Sequence, residues 1–319
     1  MSTADRDWRE DYPPTLKKVA GEGVSQDLVF DPAMKQHARA YRAGDPRFAD
    51  AGRGAQWYGT RMVAMAAALS AVAECDFGEH LVLRGSVLMK LWFGADAREP
   101  GDLDFVVDHR DWSATDARTD ELFDQVAAGA EVAADRDGIV RVDRHGALSD
   151  EIWTYDRVPG RRLVLPWSAE GCPDGTVQLD FVFGEELPEP AKASEFWFAG
   201  SVPTTMRAVS PELSLAWKLL WLATDSYPQG KDLYDAVLLA EAVHVPFPLL
   251  RDVFAAEPYG ESRIVHTLTA NLRDTQKYDD WVGFQEDHPD AVGGPEALVR
   301  RLLTALEPTF AEAPGASAS

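Results

Sequence analysis

The segment Gly101-Asp-Leu-Asp-Phe-Val-Val107 sets two acids one residue apart inside an apolar run, and that pattern has few ways to fold. In a β-strand, residues i and i+2 share a face. Leu103, Phe105 and Val107 then enter a core while Asp102 and Asp104 stand together on the other side. Two adjacent carboxylates repel unless something positive lies between them. Mg²⁺ suits such a pair, because it takes hard oxygen ligands and two such ions about 3.5–4 Å apart clamp a phosphoryl group during in-line displacement. The same spacing also decorates solvated strands and turns, so the context has to decide.

Upstream, the apolar run Leu81-Val-Leu83 leads into Arg84-Gly85-Ser86 and then a helix pattern from Val87 to Phe93. A residue without Cβ lets backbone approach a ligand closely, and Ser86 adds a hydroxyl beside amides that open a helix. Strand, Gly-Ser and helix N-terminus together describe an anion site. Downstream, Val177-Gln-Leu-Asp-Phe-Val-Phe183 alternates so that Val177, Leu179, Phe181 and Phe183 share one face while Gln178, Asp180 and Val182 take the other. Asp180 is therefore a candidate third carboxylate from a neighbouring strand. The alternative is an edge-strand acid facing water.

Ser210, Pro211 and Glu212 read as an N-cap, a first-turn proline and a first-turn acid, opening a helix that carries Lys218 among large apolar residues. Such a lysine either snorkels or aims its ammonium at a phosphate or a carboxylate such as Asp232. In the following helix Asp232 and Asp235 are three apart and share a face. Trp217 and Trp221 read as core.

The order Arg84-Gly-Ser, Asp102-Leu-Asp104, a strand aspartate, a helix lysine and Lys231-Asp-Leu-Tyr-Asp235 resembles the AbiEii/AbiGii-type nucleotidyltransferase toxins, a branch of the DNA polymerase β-like nucleotidyltransferase superfamily that includes tRNA-modifying relatives. The resemblance covers about residues 56–255. It implies an α/β (α+β) fold: a mixed β-sheet core flanked by helices, with a C-terminal helical domain. It also implies that Gly85 and Ser86, with Arg84, hold a nucleoside triphosphate, that Asp102, Asp104 and Asp180 bind Mg²⁺ or Mn²⁺, and that Asp180 promotes loss of the acceptor proton. Lys218 would contact phosphate, and Asp232 or Asp235 would fix that lysine or the nucleotide, with Asp232 preferred. Further implications are a tRNA acceptor and a cognate antitoxin. Two departures stand out: the stretch from Ser86 to Asp102 is long and carries Gly94, Pro100 and Gly101, and Arg84 stands where relatives often show lysine.

Charge limits the partners. The 319 residues carry 53 acidic against 31 basic side chains, a net charge of −22, which argues against a non-specific nucleic-acid binder because phosphate contacts need basic surface. An RNA contact would have to be local, and Arg157, Arg161 and Arg162, flanking a turn expected at Val158-Pro-Gly160, are the candidate patch; an ordinary solvated turn is the other reading. Cys75 and Cys172 form no disulfide framework, seven scattered histidines show no metal spacing, and no apolar run approaches the roughly 20 residues of a membrane helix. The N-terminus lacks a signal peptide's apolar core, so a cytoplasmic protein is expected. The expected organisation is an N-terminal arm (1–55), with a joint at Gly52-Arg-Gly54, a nucleotidyltransferase domain (56–205), a helical domain completing the active site (206–311) and a disordered tail (312–319).

Three functions compete. Transfer of a nucleoside monophosphate to tRNA leads. A small-molecule transferase of the aminoglycoside-modifying type, or one acting on a protein, shares the Gly-Ser and Asp-x-Asp core. A non-catalytic nucleotide-binding module is the third, and the presence of Asp102, Asp104 and Asp180 weighs against it.

Overall fold

A computed structural model describes residues 12–154, 158–197, 203–225, 227–258, 260–278, 280–288 and 293–314. The chain divides into two compact units: Met1–Leu91 with Glu99–Glu186 and Lys192–Ala208, and Trp92–Arg98 with Leu187–Ala191 and Val209–Ser319.

The first unit opens with two small antiparallel pairs, β1 (Val24–Ser25) with β4 (Arg47–Phe48) and β2 (Leu28–Phe30) with β3 (Tyr41–Ala43). Helix α1 (Ala51–Glu74) follows. The joint expected at Gly52-Arg-Gly54 lies inside this helix. Asp50 caps it by accepting the Arg53 amide at 2.9 Å, and a cap of this kind is worth about as much as a helical glycine costs, roughly 1 kcal/mol. Next come β5 (Leu81–Arg84), α2 (Ser86–Phe93), β6 (Leu103–Val107) and α3 (Ala117–Asp137). The remaining strands are β7 (Arg141–Val142), β8 (Leu148–Thr154), β9 (Val158–Ala169), β10 (Cys172–Phe183), β11 (Lys192–Phe196) and β12 (Thr204–Ala208).

One eight-stranded sheet runs β11-β12-β5-β6-β10-β9-β7, with β8 also pairing β9. It is mixed: β6 with β10 and β5 with β12 are parallel, the other pairs antiparallel. Val158, Pro159 and Gly160, expected as a turn, belong to β9 and lie opposite Thr154, Trp153 and Ile152. Proline is tolerated close to the start of a strand. Residues 155–157, including the candidate Arg157, lie outside the described residues.

Alternation sorts the sheet's two faces. On one, Leu83, Phe105 and Phe181 stand side by side in register, the last two rings stacked 5.0 Å apart, and Phe123 of α3 meets Phe181 at 5.3 Å. α1 and α3 pack on each other and bury Leu69, Val72, Leu122, Val126 and Ala130. The other face carries the acids.

The second unit is helical: α4 (Pro211–Thr224), α5 (Gly230–Ala242), α6 (Phe247–Val253), α7 (Ile264–Arg273), α8 (Trp281–Asp287), α9 (Gly294–Ala305) and α10 (Glu307–Ala311). Ser210 caps α4 by accepting the Leu213 amide at 3.0 Å. α4 packs on α5, α6 and α7, and α5 on α9, burying Leu215, Leu219, Leu233, Val237, Leu250, Leu268 and Leu302. The single helix expected over 295–310 is two, because Pro308 cannot continue the hydrogen bonding of α9. Within the segment expected to be without structure, the Glu312 carboxylate accepts the Phe247 amide at 2.9 Å and meets His244; residues 315–319 lie outside the described residues. Among the described residues no helix is long and apolar enough to cross a membrane.

The stacked Phe105–Phe181 pair anchors the sheet to its helices. Phe181→Ala is expected to cost about 3–5 kcal/mol, read as the shift of a urea unfolding curve. A loss below about 1 kcal/mol would mean that the ring is not part of a close-packed core.

Candidate active site

Strand register assembles the charged groups of the first unit. Arg84 of β5 lies opposite Asp104 of β6, Asp104 opposite Asp180 of β10, and Asp180 opposite Arg162 of β9. Side chains directly opposite on neighbouring strands share a face with Cβ atoms about 5 Å apart. The row therefore brings Asp104 and Asp180 together, and Asp102 is two residues before Asp104. Asp102 and Asp104 are half-buried, whereas Asp180 is 7% exposed and Arg162 4%.

The turn after β5 is shaped to this row. Gly85 has φ +85°, and a Cβ on it would come 2.2 Å from Asp104 Oδ2. No other residue can hold that turn and leave Asp104 in place. Ser86, the first residue of α2, donates its hydroxyl to Asp102 Oδ1 at 3.2 Å. Arg84 is buried and its guanidinium meets Glu185, an acid that sequence reasoning did not single out.

Asp180 is held by Arg162. Nε donates to Oδ1 at 2.8 Å and Nη2 to Oδ2 at 2.9 Å, while Nη1 donates to Asp31 Oδ2 at 2.7 Å. Burial pushes the Asp180 carboxyl above the usual carboxylate range; Arg162 opposes this, and the charges of Asp102 and Asp31 add to the rise. Burial also works on Asp31, but there Arg162 and Arg42 outweigh it and hold the group below the usual range. The buried Arg162 cannot belong to the basic patch expected from 157, 161 and 162. Consecutive strand residues face opposite ways, and Arg161 lies on the helix-covered side, over the Phe123 ring at 5.2 Å and beside Asp120 and Ser149.

The donors fit a divalent cation in kind, since Asp102 and Asp104 offer hard carboxylate oxygens beside the Gly85 turn. Among the described residues, however, no three His, Cys, Asp or Glu side chains are gathered as a metal ion would require. The third acid is occupied by a guanidinium.

In the second unit Lys218 is buried, with Nζ 3.1 Å from Asp232 Oδ1 and 3.0 Å from Asp235 Oδ2. Both candidate aspartates thus hold it. Asp235 is fully buried and also receives Arg98, whose Nη2 is 3.1 Å from Oδ2; Arg98 was not anticipated. Burial disfavours the Lys218 ammonium, but Asp235 and Asp232 outweigh it and raise its pKa. Burial likewise disfavours the Asp235 carboxylate, but Arg98 and Lys218 outweigh it and lower its pKa. At the start of α5, Asp280 accepts the Gly230 amide at 2.9 and 3.1 Å.

Two outcomes follow. Gly85→Ala is expected to cost at least about 1–2 kcal/mol from the left-handed backbone alone, with more from the displacement of Asp104; the shift of a urea unfolding curve reads this directly. For the buried network, the lowered pKa of Asp235 means that its stabilisation is present above the ordinary carboxylate range and is lost as pH falls through the folded value. The raised pKa of Lys218 means that its stabilisation is present below the ordinary amine range and is lost as pH rises through the folded value. Thermal midpoints should therefore stay flat through neutral pH and fall in acid. Asp235→Asn should lower them at neutral pH, by an amount equivalent to about 3–5 kcal/mol, and flatten the acid limb.

The model of the family described as "Nucleotidyl transferase AbiEii toxin, Type IV TA system" matches residues 67–311, well over half of the chain and spanning β5, β6, β10, α4 and α5. No curated protein matches it. With the Gly85 turn, the paired strand acids and the Lys218 helix all inside the matched range, the chain belongs to the AbiEii family of nucleotidyl transferase toxins.

Proposed function

We propose that the chain transfers a nucleoside monophosphate from an NTP to a hydroxyl of tRNA and is the toxin of a toxin–antitoxin pair. The observation that supports the reaction best is the row that sets Asp104 beside Asp180 next to the Gly85 turn. Asp102 and Asp104 would hold Mg²⁺ or Mn²⁺, which supplies charge neutralisation at the triphosphate and the leaving group. Gly85 and Ser86 would receive the triphosphate at the N-terminus of α2. Arg84 would reach the nucleotide only by exchanging its partner Glu185. Lys218, steadied by Asp232 and Asp235, is assigned to a phosphate oxygen.

Asp180 would accept a hydrogen bond from the acceptor hydroxyl. As that oxygen forms its bond to the α-phosphorus, the bond from the α-phosphorus to the bridging oxygen of the β-phosphate breaks. The proton passes to Asp180 and then to solvent, and pyrophosphate leaves with the bonding electrons.

The tRNA assignment is supported by the match of Lys231-Asp-Leu-Tyr-Asp235 to the toxin branch and not by a basic surface, since Arg162 is buried. The net charge of −22 would equally suit a cationic aminoglycoside. Labelled NTPs incubated with cellular RNA, protein and aminoglycosides separate these cases. Label is expected in tRNA, abolished by EDTA and reduced at least about 100-fold by Asp104→Asn. Label confined to protein or aminoglycoside would remove the RNA assignment. No label in any acceptor, with NTP affinity equal in Mg²⁺ and in EDTA, would overturn the reaction.

A further inference from the structure

We infer that Arg162, anchored by Asp31, withholds Asp180 from the metal and presents it to the acceptor hydroxyl, leaving Asp102 and Asp104 as the carboxylates that hold the cation. The inference rests on the nucleotidyl-transfer reading above and deepens it. Its first support is a count of lone pairs. A carboxylate offers about four acceptor positions. At Asp180, Oδ1 takes Arg162 Nε, while Oδ2 takes Arg162 Nη2 and also Gln178 Nε2 at 3.2 Å. Among the described residues one position on Oδ1 remains, enough for the acceptor hydroxyl or for a single metal bond but not for both, and too few for bidentate binding.

The second support is charge. A guanidinium in fork geometry stays protonated at any working pH. It sits within hydrogen-bonding distance of Asp180 where the side chains are buried, and there its repulsion of an incoming dication is poorly screened. The third support is the anchoring of Arg162 itself. Asp31 receives Nη1 while its own side chain accepts the Ala33 amide at 3.1 Å and its amide donates to Ala40 O at 2.8 Å. Met34 and Ala40, either side of this knot, pack on Ile152 of β8. The N-terminal segment thus fixes the guanidinium, and the guanidinium fixes the carboxylate. Arg162 is in these terms a positioning residue, and Asp31 is its anchor.

Mn²⁺ binding to the full chain, read by electron paramagnetic resonance without nucleotide, tests this alongside steady-state transfer kinetics. Far-UV circular dichroism and thermal midpoints confirm that each variant is folded. Asp104→Asn should weaken Mn²⁺ more than 10-fold. Asp180→Asn should leave Mn²⁺ affinity within twofold while lowering kcat at least 100-fold at unchanged KM for NTP. Arg162→Gln should tighten Mn²⁺ by releasing Asp180 and lower kcat, and Arg162→Lys should restore part of kcat. Asp31→Asn, which keeps the Arg162–Asp180 fork, should lower kcat less than Arg162→Gln does; it provides the anchoring test should Arg162→Gln fail to fold. Weakening of Mn²⁺ by Asp180→Asn as severe as that by Asp104→Asn would make Asp180 a metal ligand and overturn the inference while leaving the transfer reading intact. No effect of Asp104→Asn on Mn²⁺ would overturn the transfer reading, and this inference with it.

Discussion

Lateral register between strands is the constraint on which the first unit depends. A parallel pairing sets Asp104 level with Asp180, and antiparallel pairings extend the same row to Arg84 on one side and Arg162 on the other. A one-residue slip in any of these pairings would turn the acids toward the Phe105–Phe181 face and the aromatic rings toward the acids. The apolar face therefore does more than stabilise. By committing Leu83, Phe105 and Phe181 to the helices, it fixes which way every charged residue between them must point.

The second unit solves a related problem differently. There the charges lie among helices, and no ladder aligns them. Lys218 and Arg98 converge on Asp235 from separate segments, and each ion is tolerable in its buried place because the others are present. Such a network contributes little net stability compared with an apolar core of the same volume. Its retention in a helix whose other neighbours are Leu215, Leu219 and Leu222 is what a functional lysine would require.

Much of this was legible in the residues, for reasons that differ by element. Alternation around Asp104 and Asp180 is short-range and strong, so their strands and facing directions follow from a few positions, whereas Asp102, read as part of the same strand, lies just before β6. Ser210 and Pro211 marked the start of α4 because capping is local chemistry. α7 carries Ile264, Leu268 and Leu272 at helical spacing, a signal that was present and passed over. β11 and β12 are short and polar and have no such pattern. Arg162 was misplaced because a Val-Pro-Gly sequence was read as a turn, whereas the hairpin that matters turns at Glu170-Gly171 and carries Arg162 across to Asp180. Arg98 and Glu185 find their partners 137 and 101 residues away, and nothing local marks them.

The irregularity between Cys172 and Gly175 gives that hairpin a further significance. Before it, Cys172 faces Ala169; beyond it, Gly175 faces Trp167, so β10 spends one more residue than β9 in the same interval. That extra residue decides which of two consecutive arginines meets the acid. Were the same residues paired as a regular ladder from Cys172 onward, Asp180 would stand opposite Arg161, and Arg162 would be carried out of its place. The pairing of the centre is thus set some distance away by a register shift at Pro173 and Asp174. Relatives that lose one residue in this short interval would need no irregularity to keep Asp180 opposite Arg162, whereas relatives that keep its length but pair it as a regular ladder would have the same groups wired to different partners.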